Sequence, residues 1–341
     1  MEANTSWGLD FKVTRGADRA SRNFSLDAVN ATIASLAVIC NGMVFTVMVI
    51  RHHAFKSFTN RLILHQSVID AIAGVVFFLH KVIKPVGITV SLQSNIYDQL
   101  VCRFMTSDYL LWSVNVASTY NLVIISLERL MATCYPVKYR NTWSRGMLKY
   151  AVGASWAIGF VYAAHMIIIY EPFNGRCRTV DMQLGVQVLV GATVVGMEYF
   201  IPIVIMVVSY TKILIMLRKK LLNPVIARQH NLAKAKKNVL MTVLLSGFLF
   251  VICWTPTEYD YLKELFFPEL WDETVYIALT GLLACNMFIN PIIYCLNYRH
   301  FRHQLNVLWR KGFRPNQVGD RSIPTVSTNI LQQTFQEPVT A

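Results

Sequence analysis

The sequence predicts an all-α fold: a seven-transmembrane helix bundle, N-terminus out, plus an amphipathic cytoplasmic helix. Three observations lead there. The chain of 341 residues is 54% hydrophobic and only 15% charged, too apolar for an ordinary soluble domain. Its apolar residues gather into seven runs, near 28–50, 62–83, 107–133, 147–169, 185–217, 239–262 and 274–297, each long enough to cross about 30 Å of hydrocarbon. Positive charge collects on one side of these runs, at Arg51, Lys56, Arg61, Lys138, Arg140, Arg145, Lys149, Arg218, Lys219, Lys220, Arg228, Lys234, Lys236 and Lys237. The other side holds Asp98, Glu171, Asp181, Glu264, Glu269, Asp272 and Glu273. The positive-inside rule then places the N-terminus outside and the C-terminus in the cytoplasm. The net charge of +13 is a membrane-surface charge, and nothing in it points to nucleic acid.

Taken in order, residues 1–26 form a polar extracellular tail. Asn4 and Asn23 head N-x-S/T sequons on the outer side and are the expected glycosylation sites, whereas Asn30 lies too close to the membrane. The tail lacks the apolar core of a cleavable signal, so the first helix is expected to act as an uncleaved anchor. The seven-helix domain spans 27–297. Its second span is the least clean, interrupted by His65, Gln66, Asp70 and His80. Cys102 and Cys177 are the two cysteines that fall on the oxidising side, which pairs them. That bond would tie the third helix to the loop between the fourth and fifth. Residues 298–311 place Phe301, Leu305, Leu308 and Trp309 on one helical face and basic residues on the other, the pattern of a helix lying on an anionic leaflet. No cysteine follows Cys295 to carry a palmitoyl anchor. Residues 312–341 are polar and expected to be disordered, with Ser322, Thr325, Ser327, Thr328 and Thr334 open to phosphorylation.

Several polar residues inside the apolar spans carry chemistry. Pro291 removes a backbone donor and leaves a carbonyl one turn back for neighbours to satisfy; Asn290 and Tyr294 give that bend two polar handles. Glu128-Arg129 closes the third helix, where a carboxylate can hold an arginine that would otherwise snorkel to the headgroups. Asp70 in mid-membrane costs several kcal/mol, about 3 or more, unless paired or neutralised. Its candidate partners are Asn41, Ser118, Asn286 and Asn290, the two last four residues apart on one helix face. Carboxylate, hydroxyl and amide oxygens suit a small hard cation; the alternative is a protonated Asp70 in a hydrated hydrogen-bond network.

In register along the chain stand Asn41, Asp70, Glu128-Arg129, Trp156, Pro202, Tyr210, Phe250, Cys253-Trp254-Thr255-Pro256 and Asn290-Pro291 with Tyr294. Over residues 28–311 this pattern resembles the rhodopsin-like (class A) G-protein-coupled receptors. The resemblance implies a plasma-membrane receptor, not an enzyme, that binds an extracellular ligand and activates a heterotrimeric G protein by outward movement of the sixth helix about Pro256. It implies a receptor kinase and arrestin as further partners, beside the lipid bilayer. No cofactor is expected beyond a sodium ion at Asp70, Ser118, Asn286 and Asn290. The implied activation switch comprises Glu128, Arg129, Pro202, Tyr210, Phe250, Trp254, Pro256, Asn290, Pro291 and Tyr294.

Three departures stand out. Leu130 replaces the tyrosine usual after the arginine, Thr119 replaces a larger aliphatic residue, and Lys234-Ala235-Lys236-Lys237 offers no acid to bridge to Arg129. Counting back from Arg129 puts Leu111 where amine receptors carry aspartate; counting from Cys102 puts Tyr109 there, beside Asp108. The ligand pocket is expected at Asp108, Tyr109, Leu111, Trp112, Asn115, Glu198, Trp254 and Glu258. Its deep carboxylates, Glu198 and Glu258, are either protonated and hydrogen-bonded to each other or to His165, or await a cationic ligand; with the acids around them they favour a peptide or a basic small molecule. The last helix has no lysine for a retinal Schiff base, and no internal symmetry suggests a transporter. A non-signalling scavenger or partner receptor of the same fold is the alternative.

Overall fold

A computed structural model describes residues 24–83, 89–142, 145–221, 230–267 and 272–311. The sequons at Asn4 and Asn23, the tail 312–341 and the side chains of Lys234, Lys236 and Lys237 lie outside the described residues. Seven long helices follow one another: α1 Phe24–Ile50, α2 Phe58–Phe78, α3 Tyr109–Cys134 and α4 Arg145–Ile169, then α5, α6 His230–Phe266 and α7 Glu273–Asn297. Helix α5 consists of Leu184–Val195 and Ile201–Leu221 joined by a π turn at Gly196–Phe200. Six helices among the described residues are long and apolar enough to cross a membrane. The remaining expected span, 239–262, lies within α6. An eighth helix, α8 Arg299–Lys311, follows α7.

Helix α3 is the axis of the bundle, packed against α2, α4, α5 and α6. It is accordingly buried all round and tolerates small polar residues rather than a lipid-facing apolar stripe: Ser113, Asn115, Ser118, Thr119, Asn121 and Ser126 are all buried. Each hydroxyl or amide there must find a partner within the bundle, because hydrocarbon offers none. Ser113, Asn115, Thr119 and Ser126 bond carbonyls four residues back on their own helix, which leaves Ser118 and Asn121 to reach sideways.

On the outer side Cys102 and Cys177 are disulfide-bonded. Cys177 lies in β2 (Arg176–Thr179), which pairs antiparallel with β1 (Tyr170–Phe173). The hairpin turns at Asn174 (φ 47°) and Gly175 (φ 77°), both left-handed, the geometry that Asn-Gly supplies best in a two-residue hairpin loop. On the cytoplasmic side α8 buries Phe301 and Leu308 against Val47, Phe55, Tyr294 and Tyr298, with Leu305 half-buried. Trp309 departs from the expected stripe and is 82% exposed. The buried set follows the spacing 301, 305, 308, and Gln304 takes the adjoining inward place by accepting from Arg51 Nε at 2.9 Å.

Candidate functional site

Most outer acids are already engaged. Asp98 accepts from the backbone of Ser91 and Asn95 and from the Ser91 hydroxyl. Arg178 pairs with Glu171 at 2.9 Å and Asp181 at 3.1 Å while its guanidinium lies 3.7 Å over the Phe173 ring. Asp108 sits at a left-handed position (φ 56°) just before α3 and accepts from His80 Nδ1 at 2.9 Å and Lys81 Nζ at 3.2 Å. Its charge is thus met from within the protein.

A narrow cavity of about 30 Å³ lies below, lined by Lys81, Asp108, Leu111, Trp112, Asn115 and Thr257 among others. Tyr109 is not in that lining: its ring packs against Phe104 at 5.8 Å and against Phe160 of α4 at 6.2 Å. Counting back from Arg129 therefore gives the register of the cavity wall, and Leu111 occupies it.

Glu198 and Glu258 are each 3% exposed and lie close to one another. Two bare carboxylates so placed would repel one another. Tyr162 Oη donates to Glu198 Oε2 at 2.5 Å, whereas Glu258 Oε2 has no partner among the described residues. The π turn explains why Glu198 points inward. It inserts a residue just before Pro202, and the Ile201 N–H bonds back to Gly196. Pro202 has no N–H to give, and the phenol of Tyr120 donates to Met197 O at 2.8 Å.

Beneath these acids Trp254 is 1% exposed, 5.2 Å from the Phe250 ring and 6.4 Å from that of Trp112. Its indole N–H has no partner among the described residues. Phe250 is fully buried with Met206, Tyr210 and Ile213 of α5. Thr119 accordingly adds a hydroxyl, spent on Asn115 O, where bulk was expected. Tyr210 shares a hydrogen bond with Ser126 Oγ at 2.6 Å, and Gly247 makes room for it, because a Cβ there would sit 2.9 Å from the ring. Gly247→Ala is expected to displace the ring and cost about 1 kcal/mol, the worth of one hydrogen bond. Adding Tyr210→Phe should then cost nothing more. Melting temperatures of the purified single and double variants check this.

At the centre, Asp70 Oδ1 accepts from Ser118 Oγ at 2.6 Å and Gln66 Nε2 at 3.0 Å, and Oδ2 from Asn290 Nδ2 at 3.1 Å. Asn286 is buried on α7 but is not among these partners, so the expected four-residue set is not assembled as such. Asn41 Nδ2 donates to Met287 O at 2.7 Å, the carbonyl four residues before Pro291. The carbonyl freed by that proline is therefore claimed by α1, while Tyr294 packs among Val44, Val47 and Ile63.

At the cytoplasmic end Glu128 is fully buried and holds Arg129 through two contacts of 2.6 Å. Thr59 Oγ1 donates to the same carboxylate at 3.0 Å and also touches Arg129 Nη2. Tyr139 Oη donates at 2.5 Å, and burial next to that carboxylate pushes the phenol above its ordinary range and keeps it a donor.

The profile of the 7 transmembrane receptor (rhodopsin family) matches residues 40–294. The chain belongs to this family. Rhodopsin-family receptors are multi-pass plasma-membrane receptors and not enzymes, and so is this one. Similar proteins include galanin receptor 2b of Danio rerio, 25% identical over 321 residues (89% of this chain, 80% of that protein). Another is tachykinin-like peptides receptor 99D of Drosophila melanogaster, 26% identical over 213 residues (57% and 41%). A third is trace amine-associated receptor 13c of Danio rerio, 22% identical over 318 residues (89% and 91%). Within this rhodopsin-family receptor, sequence reasoning assigned no role to Gln66, Thr59, Tyr139 or Tyr162. Gln66 and Thr59 left a signal, being polar residues on the same face of α2 as Asp70. Tyr139 and Tyr162 left none.

Proposed function

We propose that this receptor binds an extracellular ligand bearing a cationic group, a peptide or a small amine. It then activates a heterotrimeric G protein when α6 swings outward about Pro256. One observation carries the ligand class: the buried Glu198–Glu258 pair has an unpartnered oxygen at Glu258, and no Lys or Arg among the described residues meets either acid. A buried polar atom left unpaired in a ligand-binding bundle marks where a partner arrives. The other deep candidate, Asp108, is met by Lys81 and His80. Relatives named for galanin, tachykinin-like peptides and trace amines support the same ligand range. The Trp254–Phe250 ring pair beside Pro256 is the element that such a ligand would bias. A receptor kinase acting on the tail, and arrestin, complete the proposed partners.

The test is GTP-analogue loading by membranes carrying the receptor, challenged with primary amines and amidated peptides. Glu198→Gln and Glu258→Gln should each raise the half-maximal concentration of an active cation about tenfold to a hundredfold, the loss of a hydrogen bond to a charged group. Activation by uncharged ligands alone would overturn the ligand class. Internalisation of a ligand without loading of any G-protein class would establish the scavenger instead.

A further inference from the structure

Asp70 and Ser118 form half of a donor set suited to a hard cation, so the fit of a sodium ion can be tested on geometry. The two oxygens that such an ion would share, Asp70 Oδ1 and Ser118 Oγ, are already engaged. Gln66 Nε2 lies 2.6 Å from Ser118 Oγ and 3.0 Å from Asp70 Oδ1, with its N–H bonds directed at the two atoms that a cation would share. Ser118 passes its own proton to Asp70. Asn290 presents its nitrogen, not its oxygen, and Asn286 is not among the hydrogen-bond donors to the carboxylate. The residues do not fit the ion.

The orientation of the Gln66 amide follows from a chain of bonds that begins at a group with no choice. An indole N–H can only donate, and Trp156 Nε1 donates to His65 Nε2 at 3.0 Å. His65 is therefore neutral, with its proton on Nδ1, and gives it to Asn121 Oδ1 at 2.9 Å. Asn121 must then turn its Nδ2 toward Leu62 O at 3.2 Å and Gln66 Oε1 at 2.7 Å. With its oxygen so engaged, Gln66 has only its nitrogen left for Asp70. Five side chains from α4, α2 and α3 thus point their hydrogen-bond dipoles the same way, and the last donor of the relay ends on the carboxylate. Turning Gln66 around would set its oxygen against Asp70 and break the whole relay.

We infer that the Gln66 side-chain amide takes the place of the cation at Asp70, fixed there by Asn121, His65 and Trp156, so that this receptor binds no sodium ion at that cluster. The amide and the Ser118 and Asn290 donors supply the positive ends that an ion would otherwise provide.

The experiment is thermal unfolding of the full-length receptor, purified in lipid nanodiscs, in sodium chloride and in choline chloride of equal ionic strength. An ion that binds the folded state raises the melting temperature with its concentration. The unmodified receptor should melt at the same temperature in both salts. Gln66→Leu, which keeps the bulk and removes the amide, should melt higher in sodium than in choline, and adding Asp70→Asn should abolish that difference. Should Gln66→Leu not fold, Gln66→Ala replaces it. A sodium-dependent rise in the unmodified receptor that Asp70→Asn removes would overturn the inference. So would a Gln66 variant that folds yet stays indifferent to sodium, since the amide would then not be what excludes the ion.

Discussion

Arg129→Ala should leave ligand affinity near that of the unmodified receptor while reducing GTP-analogue loading to background. Arg129 lies 19% exposed at the cytoplasmic mouth of the bundle, clamped to a carboxylate that is fully buried. It touches no part of the outer cavity. Its proposed task begins when α6 moves out and the guanidinium leaves Glu128 to meet the G protein. Glu128→Gln should act in the opposite sense and raise ligand-free loading about tenfold, because a charged hydrogen-bonded partner worth about 1.5–3 kcal/mol is reduced to a neutral one. Tyr139→Phe should shift loading the same way by less, since it removes one of the donors that hold the Glu128 carboxylate in place. Membranes at matched surface expression give the comparison. If Glu128→Gln and Tyr139→Phe moved basal loading in opposite directions, the clamp would not be what restrains the arginine.

Cys102→Ser and Cys177→Ser should each remove most surface expression and ligand binding, and the double variant should be no worse than either. The bond closes a loop spanning 75 residues, and removal of such a link costs about 2–5 kcal/mol. Hydrogen bonds also hold the hairpin over the helix ends. Val90 N bonds to Gly175 O at 3.1 Å, and Ser94 Oγ bonds to Pro172 O at 3.5 Å. Loss of one cysteine already breaks the disulfide, so the second substitution has nothing left to remove. Quantitative surface labelling of the three variants gives the readout, and clear additivity would contradict the pairing.

The seven helices and their order were legible because hydrocarbon length and charge asymmetry act on whole segments, where single residues average out. The carbonyl freed by Pro291 was legible as a need, but the residue that meets it, Asn41, was expected at Asp70, to which it makes no hydrogen bond among the described residues. Lateral facts were harder. The π turn at Gly196–Phe200 adds one residue to a helix that hydropathy sees as continuous, so the inward turn of Glu198 could be suspected only by resemblance. Gln66 registered as a blemish in an apolar run, because its purpose depends on Asn121 and Ser118, both more than fifty positions away in sequence. The ambiguity between Leu111 and Tyr109 came from the left-handed residue at Asp108 and the π turn at Val101–Thr106 before it, which spoil any count carried across them from Cys102.

The three prolines of the bundle are not equally restrained at the carbonyls they free. At Pro291 the exposed carbonyl is gripped by an amide on α1, and before Pro202 a phenol on α3 grips the strand of carbonyls that the π turn opens. At Pro256 the counterpart is Ile252 O, and among the described residues no side chain from a neighbouring helix donates to it. Thr255 instead bonds backward along its own helix to Val251 O at 2.6 Å, while Tyr199 reaches Thr255 Oγ1 at 2.5 Å. Bending α5 or α7 at its proline strains a bond to another helix, whereas bending α6 strains none at the hinge carbonyl. The proposed outward swing of α6 would therefore leave the hinge carbonyl unstrained and load instead the Tyr199–Thr255 bond and the bond from Thr257 Oγ1 to Leu279 O on α7.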